Sequence, residues 1–121
     1  MKYLAIALLV LTPSVPEIGQ QAVYSGTWLT TNRQLDGTLT CVVTNLGDNQ
    51  WRGHFSGTFQ GSPFSYSVTF SGKPNQLRGK AIIDGAEYDW TGKIDKGPPG
   101  TFRGSFSGRY VGSFDLKEQR K

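Results

Sequence analysis

From Trp51 the chain alternates between rings or glycines and polar residues. Trp51, Gly53, Phe55, Gly57 and Phe59 fall on one parity, and Arg52, His54, Ser56 and Thr58 on the other. A period of two is the period of a β-strand, so the aromatics and glycines share one face and the polar residues the opposite one. The parity inverts at Gly61-Ser62, after which Phe64, Tyr66, Val68, Phe70 and Gly72 carry the pattern on. A two-residue Gly-X turn of type II′ accounts for that inversion. It predicts Gln60 opposite Pro63, Phe59 opposite Phe64, Gly57 opposite Tyr66, Phe55 opposite Val68, Gly53 opposite Phe70 and Trp51 opposite Gly72. Three of these pairs set a glycine against a ring, which can lie across the bare backbone left by the missing Cβ.

The same grammar runs through the rest of the chain. Val23–Thr31 predicts a strand with Tyr24, Gly26 and Trp28 facing inward, and residues 32–34 a turn. Leu35–Thr44 puts Leu35, Gly37, Leu39, Cys41 and Val43 on one face, and Asn45–Asn49 has the composition of a hairpin connection. After Gly72, a turn at residues 73–76 sets Phe70 opposite Gly79, Val68 opposite Ala81 and Tyr66 opposite Ile83. Asp84-Gly85 suits a type I′ turn, which needs positive φ at both central positions. It places Ala81 opposite Tyr88, Gly79 opposite Trp90, Leu77 opposite Gly92, and Lys80 opposite Asp89 on the outer face. Residues 96–100 form a longer loop. Thr101–Leu116 keeps one parity throughout, which fits one long bent strand or a hairpin with an odd-numbered loop near Gly108; the lack of a turn dipeptide favours the single strand. The fold expected is all-β: an antiparallel up-and-down meander of seven or eight strands with an aromatic and glycine interior. Closure into a barrel removes unpaired edges.

At 121 residues the chain has room for one core. Lys2 leads into an apolar run from Tyr3 to Leu11 and then a Pro-broken polar stretch, the layout of a secretory signal peptide and too short to span a bilayer. Residues 1–22 are therefore read as a signal and leader, with Ser14, Gly19 or Ala22 as the last residue removed. Residues 23–117 form the β domain and 118–121 a charged tail. The expectation is an exported protein, periplasmic or extracellular, with no stable membrane span once the signal is cleaved. The net charge of +4 is mild and interspersed, as solubility alone requires. Of 15 aromatics, the 14 beyond the leader take the inner parity. That parity separates rings from basic residues, whereas a nucleic-acid stacking platform needs them together, so no nucleic-acid partner is expected.

Gly26-Thr27-Trp28, a G-x-W on the first strand of a meander, resembles the calycins, the lipocalin and avidin-like barrels. The resemblance implies a structural Trp28 with a basic residue near the last strand over it, Arg109 or Lys117. The polar biotin-contacting set of the avidins has no counterpart, so no ligand is carried over. The fragments beginning at Tyr24 and Tyr110 fit Y-x-G-x-[FW], those at Trp51 and Phe102 fit it with another ring for Tyr, and together they resemble MORN-type hairpin arrays, which implies an open coiled sheet as the alternative architecture.

Candidate chemistry is sparse. His54, the one histidine, lies on the polar face without a second His or Cys to share a metal. Cys41 is alone, so no intramolecular disulfide forms, and its apolar neighbours suit a small buried side chain better than a nucleophile. Glu87 and Asp89 face outward beside Arg78 and Lys80, an arrangement of cross-strand ion pairs. No constellation asks for a cofactor or a metal. The residues point first to a non-catalytic secreted module with a binding or structural role. The alternative is a calycin-like carrier of a small apolar ligand, whose pocket, if the interior is hollow, Trp28, Trp51 and Trp90 would line. An enzyme comes last, for want of a nucleophile–base set.

Overall fold

A computed structural model describes residues 16–32, 34–97 and 99–119. The chain runs through eight strands, β1 (Gln21–Thr30), β2 (Asp36–Gly47), β3 (Gln50–Phe59), β4 (Ser62–Ser71), β5 (Leu77–Ile83), β6 (Ala86–Asp95), β7 (Thr101–Ser107) and β8 (Val111–Glu118). Each pairs antiparallel with the next, and β8 pairs with β1, so the meander closes into a barrel. Closure overturns the open MORN-like sheet. The signal-peptide run and Ser14 lie outside the described residues. Gln21 and Ala22, assigned to the leader, already pair with Thr44 and Val43 in the β1–β2 ladder.

The alternating parity survives as a dry interior and a wet exterior. Phe55, Tyr24, Phe102 and Leu116 are fully enclosed, and Phe55 sits at the centre of the ring packing. It stacks on Trp90 at 4.9 Å between ring centroids and meets Phe114 edge-on at 5.6 Å. Outside, hydroxyls line up across strands, as in Ser25 with Thr40 and Thr91 with Ser105. The expected ion pair of Lys80 with Asp89 forms at 3.7 Å, well exposed.

Two expectations about the turns need correction. Phe59 pairs with Ser62, so the β3–β4 turn is Gln60-Gly61, with φ of 50° and 83°. The ladder therefore slides by two residues: Gly57 faces Phe64, Phe55 faces Tyr66, Gly53 faces Val68 and Trp51 faces Phe70. The reason is Pro63. A two-residue turn is closed by the N–H of its fourth residue, and in the expected register that residue is a proline, which has none. A slide by two leaves the parity intact. Gly53 also still meets Phe70, now diagonally, with a ring carbon 3.1 Å from where a Cβ would stand.

The second correction concerns Thr101–Leu116, which is a hairpin and not one bent strand. Ser107 pairs with Val111 around the three-residue loop Gly108-Arg109-Tyr110, and an odd-numbered loop leaves the parity unchanged. Tyr110 therefore sits in a loop, 39% exposed, and not on a strand's inner face. The β5–β6 register around Asp84-Gly85 is as expected, from Leu77 with Gly92 to Ile83 with Ala86.

Between β4 and β5 the ladder is three pairs long: Ser71 with Arg78, Phe70 with Gly79, Thr69 with Lys80. The expected continuation to Val68 with Ala81 and Tyr66 with Ile83 does not form. The two strands part there, towards the end of the barrel that carries the β1–β2, β3–β4, β5–β6 and β7–β8 turns. At the opposite end the interior is filled by the buried side chains of Ala22, Trp51, Leu77 and Ile94. Residues 16–20 lie against the end of β2, where Ile18 bridges Asn45, and the Asn45 Nδ2 donates to the Pro16 carbonyl at 3.0 Å.

Ring-on-glycine packing leads to a measurable ranking. A Cβ at Gly104 would run into the Thr91 carbonyl oxygen, which is ladder backbone, and into the Phe114 ring. At Gly53 it would meet only side chains, those of Cys41, Phe70 and Phe55. Gly104→Ala is expected to cost about 2–3 kcal/mol in urea denaturation and Gly53→Ala about 1 kcal/mol.

Candidate ligand-binding mouth

Where β4 and β5 part, the interior is hollow. The cavity has a volume of about 290 Å³ and opens at the turn end. β1 contributes Trp28, β2 Leu39 and β3 Phe59. β4 supplies Ser62, Pro63, Phe64 and Tyr66, and the β5–β6 hairpin supplies Ile83, Asp84, Tyr88 and Trp90. Phe106 and Tyr110 complete the wall. Eight of these thirteen residues are aromatic, and Asp84 is the one charged residue among them. The volume is close to twice that of an engineered cavity of about 150 Å³ that holds benzene, and lies at the low end of small-molecule pockets, about 300–1,000 Å³. A molecule of two fused rings is the right size.

The rings around the mouth are ordered by one another. Phe59 stacks on Trp28 at 5.9 Å with 17° between planes, and Phe106 meets Trp28 edge-on. The calycin resemblance implies a basic residue over that indole. Instead Phe59 covers it, while Lys117 is exposed on the outer face beside Ser25 and Arg109 is exposed in the β7–β8 loop. Phe64 and Tyr66 stack at 5.2 Å along the free side of β4. The Tyr110 backbone N–H donates to the Tyr88 hydroxyl at 3.1 Å, tying the β7–β8 loop to the cavity wall.

Of the three tryptophans singled out from sequence, the structure brings two together. Trp28 and Trp90 line the cavity; Trp51 lies in the closed half, paired with Asn45 and Phe70. Their N–H groups differ as well. Trp28 donates to the Thr58 carbonyl at 3.0 Å and Trp51 to the Gly72 carbonyl at 3.0 Å. Trp90 Nε1 is buried with no hydrogen-bond partner. Tyr66, Tyr88 and Phe59 escaped sequence reasoning as site residues. Parity places them inside, but nothing local tells a ring in a solid core from one beside a void.

The remaining candidates lie away from the mouth. His54 is exposed, held at 3.0 Å by Ser67 through Nδ1 and by Ser65 through Nε2. Glu87 and Asp89 are exposed on the outer face. Among the described residues no group of three or more His, Cys, Asp or Glu is placed to hold a metal ion. Cys41 is fully buried, and burial pushes its thiol well above the ordinary 9.0. Burial, then the Glu118 carboxylate and Cys41, raise the Tyr24 phenol. Tyr66 is pushed up to about 12 by burial, then by Tyr88 and Asp84.

A de novo designed fluorescence-activating β-barrel matches with a TM-score of 0.64, covering 80% of this chain and 91% of that one at 15% identity. The likeness is one of fold. No protein-family model and no curated protein matches the sequence.

The indoles and the buried acids each support a measurement. Trp28→Phe and Trp51→Phe remove a ring and leave a carbonyl without its donor, whereas Trp90→Phe discards an N–H that was already unpaired. Urea denaturation is expected to rank Trp90→Phe as the mildest, by about 1 kcal/mol. Cys41, Tyr24 and Tyr66 all have folded-state values above their unfolded ones. Their contribution to stability is therefore complete below the unfolded values of 9.0 and 10.0 and is lost as pH rises through the folded values. The urea midpoint should hold below about pH 9 and fall steadily towards about pH 12, and Tyr66→Phe should flatten that fall.

Proposed function

We propose that this barrel is a non-catalytic host that binds a small, flat, mostly apolar molecule in its aromatic mouth, and that it acts outside the cytoplasm. The observation that carries the binding reading is the cavity of about 290 Å³ where a closed aromatic core would otherwise continue. An eight-stranded barrel is wide enough either for side chains to fill or for one small ligand, and an unfilled apolar void costs stability in proportion to its volume. A void lined by eight rings at one end, with the other end filled by the buried side chains of Trp51, Leu77 and Ile94, is the shape of a container with one entrance. The fluorescence-activating design shares this architecture, in keeping with a host role for the interior. Export is argued from the short apolar run after Lys2.

Prodan, a neutral naphthalene dye whose emission shifts to the blue in apolar surroundings, tests the reading directly. Titration should give a saturable blue shift with one site per chain. Ile83→Trp, which fills the mouth, should weaken binding by at least about tenfold. Trp51→Phe, at the filled end, should leave it unchanged. Absence of a saturable shift, or equal binding to the Ile83→Trp variant, would overturn the proposal.

A further inference from the structure

The chemistry of the wall says more than its size. We propose that the mouth is selective for an aromatic or otherwise flat apolar cation, whose ring body lies in the cavity and whose ammonium group rests at the rim beside Asp84. This rests on the host reading above and specifies its ligand class.

Three observations converge on it. First, Asp84 is the sole charged residue lining the cavity among the described residues, and it is negative. Arg109 belongs to the neighbouring loop but is not part of the wall. An anionic ligand would bury its charge with no counter-ion and beside a carboxylate, an arrangement that is costly in an apolar site. Second, the wall is aromatic. Trp28, Phe59, Phe64, Tyr66, Trp90 and Tyr110 line the space, and a cation seated over a ring face is attracted by the ring quadrupole. A quaternary or tertiary ammonium suits this best, because alkyl groups already keep water from its charge. Third, Asp84 is exposed at the turn, so a cation beside it keeps part of its hydration while its apolar body is buried. The field of Asp84 reaches into the cavity: it contributes to the raised titration of Tyr66, which lines the opposite side of the β4–β5 opening.

The geometry also supplies a clean variant. Asp84 and Gly85 both have positive φ, 51° and 78°. Asn-Gly is the most favoured pair for such a turn, so Asp84→Asn removes the charge while the hairpin keeps its shape.

The test uses three naphthalenes of one shape, 2-naphthyltrimethylammonium, its uncharged carbon analogue 2-tert-butylnaphthalene, and 2-naphthoate, each displacing prodan from the full chain. The cation is expected to bind about tenfold more tightly than the tert-butyl compound, with naphthoate weakest. Raising salt from about 20 mM to about 300 mM should shrink the cation's advantage. In Asp84→Asn the ratio of cation to neutral affinity should fall several-fold and naphthoate should gain. If the tert-butyl compound displaces prodan as well as the cation does, or if the cation's advantage survives in Asp84→Asn, the charge selectivity is wrong while the host reading stands. If neither prodan nor any of the three binds, both are wrong.

Discussion

The barrel depends on rings packing against glycines. An eight-stranded barrel encloses a lumen just wide enough for side chains or one small ligand. This chain sends thirteen aromatics into or around that lumen from its strands, and they fit where the facing strand gives up a Cβ. Phe102 lies over Gly92, Phe114 over Gly104, Phe106 over Gly112, and Phe70 between Gly53 and Gly79. At Gly26, Gly57 and Gly112 the close neighbour is a carbonyl oxygen of the adjacent strand, so these glycines let backbones approach as well as rings. The closing seam depends on this, since Gly26 and Gly112 are both in the β1–β8 ladder. Remove the glycines and the rings must rotate off their rotamers or the sheet must open; either breaks the ring of strands at its tightest points.

That packing differs between the two halves of the barrel. In the filled half, Phe70 packs between Gly53 and Gly79 and Phe102 over Gly92. In the other half, Phe64 and Tyr66 on β4 and Ile83 on β5 stand beside the cavity. The β4–β5 ladder ends at Thr69 with Lys80. Beyond that pair the strands part, and the cavity opens there. The exposed Ile82, 75% accessible on the outer side of β5, belongs to this loosened region, where fewer ladder bonds hold the strand.

Much of this was legible in the chain because parity is robust to error. The β3–β4 register expected from Gly61-Ser62 is off by two residues, yet a slide by two keeps every ring on its own side, so the core list hardly changes. The true register is written locally: Pro63 lacks the N–H that a Gly61-Ser62 turn requires, a fact independent of tertiary structure. The hairpin within Thr101–Leu116 was harder to see, since a three-residue loop neither flips the parity nor needs a turn dipeptide. Its loop is fixed instead by a distant contact, the Tyr110 N–H on the Tyr88 hydroxyl. The site was readable only in part. Trp28, Trp51 and Trp90 have identical local grammar, and what separates Trp51 from the other two is the end of the barrel it occupies, the one filled by Leu77 and Ile94 as well.

Departures from good internal accounting gather at the mouth. Trp90 is 3% exposed and its N–H is unpaired, a cost of about 1–3 kcal/mol in a fold whose other two indoles are both satisfied. Two adjacent strands forgo most of their ladder in the same region. In a sequence this consistent elsewhere, costs that fall together at one place support the host role we propose for the mouth. A ring system bearing a positive charge is the proposed content that would answer to the open lumen, the aromatic wall and the Asp84 carboxylate at its rim together.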